Sequence, residues 1–539
     1  MFRFKKKDMK LYKLIPILVA VTVFSSCENN LTELENIGVQ TADIYFNDPE
    51  NALAGLTSVY AAIQDDEYFV YGDILSDDAV KGGSGFFDWV DREYLRTFTA
   101  NSGNGVSRGT WSLMYTVIVR ANEVINTLPN TSFDEDLKER IIAEAKFLRA
   151  YAYSKLVPLF GGVPLVFENL SINNLELPRS SVEEVYAFIK KDLDAAIAVL
   201  PKKSEYAAID LGRATKGAAK MLKVRVLMQE TSYVYNPTLA ASENYAVDAT
   251  ANWEEVYTLT TSIISSGEYA LTTNFATIFQ EEGENNSESI FEIQHKQTLN
   301  DFNESVGNTT IVQMGNRDDW GWCFNLPTDD LYTSFLTSDP RLFCTIYGQE
   351  FDVLYGVAQT WDKQIWTLDN NSSKDEVTKC RLNRKYALAK ENRDSNHNNQ
   401  DVNKRVMRYS EVLLAHAEAA YYKGLEGEAR TFVNRVRNRA QNSTMPLGSA
   451  LGQTSGYTYD AVAGASVPAI LTTGDDLLLD IWKERRLELA MEGIRYFDLI
   501  RTGRTDLLPK EANYKTHEGL LPLPVGDVNT FGLVQNKGY

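Results

Sequence analysis

The feature that most constrains the fold is a pairing of amphipathic helices that recurs along the chain. In SVEEVYAFIKKDLDAAIAVLP, Val182, Val185, Ile189, Leu193, Ala196, Ile197 and Leu200 share one face, and Ser181 with Glu184 makes a capping box. EARTFVNRVRNRA repeats the pattern with Ala429, Phe432, Val433 and Val436. It follows RYSEVLLAHAEAAYYKGLEG, whose Gly424 and Gly427 supply a tight turn. Further pairs are expected from Trp111 to Leu128 with Asp136 to Leu159, and from Ser181 to Leu200 with Ala214 to Gln229. Two such helices every roughly 35 to 45 residues trace a helical-repeat scaffold, each pair covering its neighbour's apolar face. A mainly α protein with few short strands is expected. Two long irregular tracts interrupt it, at about 65–110 and 270–405, rich in Asn, Gly, Asp and aromatics.

The beginning of the chain bears on compartment. In KLIPILVAVTVFSSCENNLTE the apolar run from Leu14 to Phe24 is shorter than the roughly 20 residues a membrane span needs. Arg3, Lys5, Lys6, Lys7, Lys10 and Lys13 precede it and Ser25-Ser26 follow, the order of a secretory signal. FSSC resembles a lipobox, although Phe24 stands where Leu is common. This reading makes residues 1–26 a lipoprotein signal peptide, Cys27 the lipidated first residue, and 27–539 a single mature domain. Ordinary secretory cleavage, with Cys27 incidental, is the alternative. Acyl chains contributing about 0.8 kcal/mol per buried methylene would hold such a protein on a membrane without a spanning helix.

Removing residues 1–26 takes away six positive charges and one negative, moving the net charge from −19 to −24. Nucleic acid and anionic surfaces both require a basic footprint, so neither is an expected partner. Beyond Cys27 only Cys323, Cys344 and Cys380 remain, which permits at most one disulfide. Neither they nor His295, His397, His416 and His517 show zinc spacing. RDSNHNNQDVNKR spaces Asp394, Asn396, Asn398 and Asp401 somewhat like a calcium loop. Asn399 replaces the glycine and Arg405 the glutamate that such a loop needs, so a flexible polar loop is expected. GGSG at 82–85 lacks the Lys-Ser/Thr of a phosphate loop and reads as a mobile turn. No metal or cofactor is expected.

Six segments carry a family resemblance: EAKFLRAYAYSKLVPLFGGVPL at 144–165, SESIFEIQ at 287–294, RYSEVLLAHAEAAYYKG at 408–424, FVNRVRNRA at 432–440, WKERRLELAMEGIRYFDLIRTG at 482–503, and LPLPVGDV with the terminal QNKGY. In this order, behind a lipobox-like leader, they resemble the SusD/RagB-type outer-membrane nutrient-binding lipoproteins over almost the whole mature chain. The resemblance implies a tetratricopeptide-like helical-repeat scaffold, SusD-like, at the outer face of the outer membrane. It also implies a SusC-like TonB-dependent transporter barrel as partner, an oligosaccharide or in some members a peptide as ligand, and no catalysis.

A sugar ring offers a face of C–H groups and a rim of hydroxyls, so its sites pair flat aromatics with planar hydrogen-bonding groups. YFVYGDILSDDAVKGGSGFFDWVDREY and NRDDWGWCFNLPTDD have that composition. Trp320 and Trp322, with Trp89 or Tyr68, are expected to form the stacking surface, and Arg317, Asp318 and Asp88 to bond hydroxyls. Asp77-Asp78, Asp318-Asp319 and Asp329-Asp330 read as solvated loop charge or hydroxyl acceptors. Arg485, Glu488, Glu492 and Arg495, spaced by three and four, read as one helix face of alternating charge. A glycosidase pair at Glu488 and Glu492 is disfavoured, because neighbouring arginines oppose the raised pKa of a general acid. The rival classes are peptide binding on the same scaffold, an exported carbohydrate-active enzyme, and a protein-interaction scaffold.

Overall fold

The computed structural model describes residues 42–168, 177–297, 307–315, 321–347, 353–354, 357–358, 381–388, 392–447, 458–462, 464–517 and 519–539. The leader, Cys27, Cys380, Arg317, Asp318, Asp319 and Trp320 lie outside them.

Helices form where apolar periodicity meets a capping side chain. α1 (Pro49–Ala62) starts at Asp48, whose carboxylate accepts the Glu50 N–H. α2 (Gly105–Thr127) starts earlier than its apolar stripe suggests because Asn104 caps it, accepting from the Ser107 N–H at 3.0 Å. α3 (Glu135–Phe160) is capped by Asp134 and stops at Gly161, whose φ of 71° a side chain would resist. α4 (Val182–Val199) carries the expected Ser181–Glu184 box. α5 (Lys216–Glu230) and α6 (Ala249–Ser265) are capped by Thr215 and Asp248. α7 (Tyr409–Tyr422) and α8 (Glu426–Gln441) make the expected hairpin. Gly424, at φ 75°, turns it, whereas Gly427 already lies in the first turn of α8.

Consecutive helices from α1 to α6 pack side by side, and α6 then packs on α7. The repeat is therefore continuous in space although the tract near 270–405 separates α6 from α7 in sequence. Trp253 stacks on Tyr422 with centroids 4.4 Å apart, and Tyr257 on His416 at 4.8 Å. His416 is a satisfied core residue: Nδ1 lies 2.9 Å from Thr260 Oγ1 and Nε2 2.9 Å from Glu428.

Four short strands organise the irregular tracts: β1 (Ala79–Gly82), β2 (Ser289–Ile293), β3 (Phe324–Pro327) and β4 (Lys404–Arg408). β2 pairs antiparallel with β4, Ile293 opposite Lys404, and closes the second tract where β4 runs into α7. The terminal QNKGY is a clamp: the Asn536 amide donates to the carbonyls of Phe160 and Leu521.

The segment 482–503 is not one helix. α9 (Gly474–Glu488) ends at Glu488, Met491 and Gly493 take φ of 63° and 75°, and α10 (Arg495–Arg501) begins anew. Its charges consequently pair with remote elements instead of along one helix face. Arg408, fully buried at the end of β4, donates to Glu288 at 2.6 Å, to Glu488 at 3.1 Å and to both oxygens of Glu492 at 2.7 and 2.8 Å. Arg439 of α8 bridges Glu288 and Glu488, Arg341 reaches Glu484 and Glu488, and Lys385 meets Glu492 at 2.6 Å. Burial alone would raise the Glu488 carboxyl, but Arg439, Arg408 and Arg341 overcome it and hold the group well below the ordinary range.

Removing one member leaves the others charged and uncompensated in the interior, which typically costs about 3–5 kcal/mol. Arg408→Ala is therefore expected to lose at least about 3 kcal/mol in urea unfolding at pH 7; a parental midpoint would contradict this arrangement.

Candidate functional site

The two irregular tracts meet at the β1–β3 pair, Ala79 opposite Pro327 and Gly82 opposite Phe324. At its end the chains approach closely. Gly83 N–H donates to the Cys323 carbonyl at 2.7 Å, and a Cβ on Gly82 would stand 2.1 Å from that oxygen. The glycines thus permit backbone contact. The following turn is pinned: the buried Lys81 ammonium donates to the carbonyls of Gly85 and Asp88 at 2.7 and 2.6 Å. Asp88 Oδ2 accepts from both the N–H and hydroxyl of Ser84 at 2.8 Å. The turn expected to be mobile is held by these bonds, and Asp88 is placed to fix its shape.

That turn delivers an aromatic ridge. Trp89, in the left-handed region at φ 50°, starts the short helix Val90–Arg96 and remains 42% exposed. Its ring stacks on Phe324 at 5.3 Å and meets Trp322 edge-on at 6.1 Å. The Arg92 guanidinium lies 3.9 Å from the Trp89 centroid and 4.9 Å from that of Phe324. Arg92 is buried and is held by Glu67 at 2.8 Å and Gln313 at 2.7 Å; Gln313 in turn donates to the other Glu67 oxygen. Trp89 therefore stands on a cation locked from beneath, with little freedom to swing away.

Beside the ridge opens a cleft of about 570 Å³, with Phe87 and Trp89 on one wall, α2 on the other, and Asp65, Glu67 and Asp91 at its edges. Phe87 is 86% exposed. On α2, Gly105, Gly109 and Leu113 follow at four-residue steps, so two glycines lower one side of a wall that Val106, Thr110 and Leu113 complete. Nothing stands within 4 Å of a Cβ placed on Gly109.

The structure brings Trp89 and Trp322 together, as expected. It places Tyr68 elsewhere: its ring stacks on Phe497 at 4.8 Å, nearly parallel, beside a half-open pocket that shares no lining residue with the cleft. Phe87, Asp65, Glu67, Asp91 and the α2 stripe were not anticipated. Phe87 adjoins Trp89 in GFFDWV, and the Gly-x₃-Gly-x₃-Leu spacing is the signal that could have revealed the stripe. Other acidic doublets are structural. Asp77 binds Arg495 at 2.7 and 2.8 Å, Asp78 binds Arg486 at 2.7 Å, Asp330 joins Arg486, and Asp329 binds Arg381 at 2.6 Å. Asp394 folds its own loop, accepting from Asn396 N–H and the Asn399 amide. Among the described residues no cluster of His, Cys, Asp and Glu has metal-binding geometry.

Fold and cleft together define a helical-repeat protein that presents an aromatic surface on its inserted tracts. Residues 287–520 match the SusD family and residues 51–228 a family described as starch-binding, associating with outer membrane. A SusD-like protein of Bacteroides ovatus is 24% identical, the alignment covering 94% of this chain and 88% of the relative. Among solved structures, a laminarin-binding SusD-like protein is 25% identical at TM-score 0.68, covering 91% of this chain and 99% of that one. Surface glycan-binding protein A from Bacteroides thetaiotaomicron, in complex with laminarihexaose, is 24% identical at TM-score 0.67, covering 90% and 99%. The chain belongs to the SusD/RagB family.

One buried acid joins the site to the scaffold. Asp73 accepts from the Asn325 amide and from the Gly493 N–H, both at 2.9 Å, tying β3 to the turn between α9 and α10. Burial pushes its carboxyl up to about 7, with those two bonds opposing. A folded-state value above the unfolded one means the native state binds the proton more tightly, so this group's contribution is greatest in acid. It falls as pH rises from about 4 to 7, by at most about 4 kcal/mol. Asn325 Oδ1 accepts no hydrogen bond among the described residues, so a turned Asn325 amide could accept one from the side-chain N–H that Asp73→Asn introduces. That variant is expected to gain stability relative to the parent between pH 4 and pH 8, measured by urea unfolding; parallel profiles would refute the assignment.

Proposed function

We propose that this protein is a cell-surface lipoprotein, anchored through Cys27, that binds an oligosaccharide in the cleft beside Trp89 and passes it to a SusC-like TonB-dependent transporter. The observation carrying the reading is the exposed ridge of Phe87 and Trp89 facing the α2 stripe, with carboxylates at the rim to accept hydroxyl hydrogens. The laminarin-binding and laminarihexaose-bound relatives support it. Trp322 extends the ridge, and Arg317, Asp318 and Trp320, just before it in sequence, are proposed to complete the platform. The ligand is held and not cleaved: Glu67 engages Arg92 with one oxygen and Gln313 with the other, which leaves neither to work on a glycosidic bond.

The cleft walls also favour an uncharged ligand. Asp65 and Asp91 add negative charge to an already acidic chain, so a uronide meets repulsion that salt relieves. A glycan array followed by calorimetry tests the reading. Neutral oligosaccharides are expected to bind at micromolar to millimolar concentration and uronides of equal length more weakly, the gap narrowing at high salt. Trp89→Ala should weaken the best ligand about 2- to 12-fold or more, given roughly 0.5–1.5 kcal/mol per aromatic contact beyond area burial. Gly109→Tyr should block the cleft while leaving the melting temperature at or above the parent's, since glycine is the poorer helix former. Unchanged affinity in both variants removes this cleft from the function. An array without hits, beside binding of a peptide mixture, replaces glycan by peptide.

A further inference from the structure

A second, half-open pocket lies beside the side chain of Lys155, between α3, α5 and α10. It has two lobes of about 90 and 60 Å³ that share Tyr68, Lys155, Arg225, Gly493 and Ile494. Each lobe exceeds the roughly 10–15 Å³ that one water needs. Lys155 is only 9% exposed. Its Nζ stands 3.7 Å from the centroid of Tyr68 and 4.8 Å from that of Tyr151, a cage that holds the ammonium without donating or accepting a hydrogen bond.

Negative charge nearby is already committed. Asp66 accepts from the Tyr68 N–H with one oxygen and from the Tyr151 hydroxyl with the other. Glu411 takes Arg225 in a fork at 2.8 and 2.6 Å. Asp498 takes the Nε and Nη2 of Arg485, whose Nη1 is buried and has no acceptor among the described residues. Lys404, on the smaller lobe, donates only to the backbone carbonyls of Gln64 and Asp66. Cationic side chains therefore outnumber carboxylates around the space, and much of the remaining wall is apolar. Burial pushes the Lys155 ammonium down to about 8, with Asp66 and Glu411 opposing and Arg225 adding to the shift. The carboxylates of Asp66 and Glu411 act on it only from a distance and no acceptor among the described residues bonds it; a compact anion would supply that contact.

We propose that this cavity is a binding site for one compact monovalent anion, a halide or the carboxylate of a short acid, held by Lys155 Nζ with the Arg225 guanidinium, which lines both lobes, beside it. The site is separate from the aromatic cleft and does not rest on the glycan reading. Crystals of the mature chain, grown without halide and soaked in sodium bromide, should show an anomalous bromine peak within hydrogen-bonding reach of Lys155 Nζ. In a gluconate buffer at constant ionic strength, chloride and acetate titrations should each be followed by melting temperature. A saturable rise with chloride alone assigns a halide, and with acetate a carboxylate. Lys155→Met should abolish the dependence. A bromide-soaked crystal with no peak in the cavity, or a melting temperature that responds to ionic strength alone, overturns the proposal; the first readout needs no variant to fold.

Discussion

The proposed ligand surface is joined to the scaffold through a buried cluster of ion pairs around Arg408. Three carboxylates from three segments, Glu288 before β2, Glu488 at the end of α9 and Glu492 in the turn beyond it, converge on one guanidinium. Arginine suits this task because its planar fork can satisfy several carboxylate oxygens at once. The exchange also has a topological effect. Arg408 ends the strand that closes the long inserted tract, so its partners fasten that tract to the C-terminal helices. Buried ion pairs add little net stability over apolar packing, but they discriminate sharply between correct and incorrect register, because a misplaced partner leaves a bare charge in the interior.

From that junction the support runs outward in a few steps. The turn after Glu492 contains Gly493, whose N–H holds Asp73, and Asp73 holds Asn325 on β3. β3 carries Phe324 against Trp89, and Arg92 beneath Trp89 is fixed by Glu67 and Gln313. The aromatic ridge is therefore preorganised by contacts that belong to the scaffold. A rigid flat surface loses little conformational entropy when a sugar ring settles on it, so modest stacking energies become usable affinity.

The repeat was legible in the sequence because helix caps and apolar stripes are local signals. Val182, Val185 and Ile189 are buried and Ser181 caps them, as their spacing implies. α1 and α6 are less legible because their buried faces are short, Ala52, Leu56, Val59 and Ala62 in one and Trp253, Val256 and Ile263 interrupted by Thr260 in the other, and both pack on a neighbour, α2 and α7. The partners of Glu488, Asp77 and Asp78 were not legible, since Arg408, Arg495 and Arg486 stand far away in sequence and no spacing rule links them. The ridge was half visible. GFFDWV and WGW advertise aromatics, yet composition does not say which ring is turned outward, and the half-buried Tyr68 covers Lys155 while Phe87 stays outside. The stripe on α2 centres on two glycines, Gly105 and Gly109, which carry no chemical signature and gain meaning only once a wall stands opposite.

The central claim is that the two inserted tracts, joined at β1–β3, create the ligand surface. A crystal structure of the mature chain with a bound neutral hexasaccharide tests it most directly. The account predicts a pyranose ring lying flat on the Phe87–Trp89 ridge with hydroxyls directed to Asp65 or Asp91; sugar density on another face of the scaffold, with this cleft filled only by solvent, would contradict it.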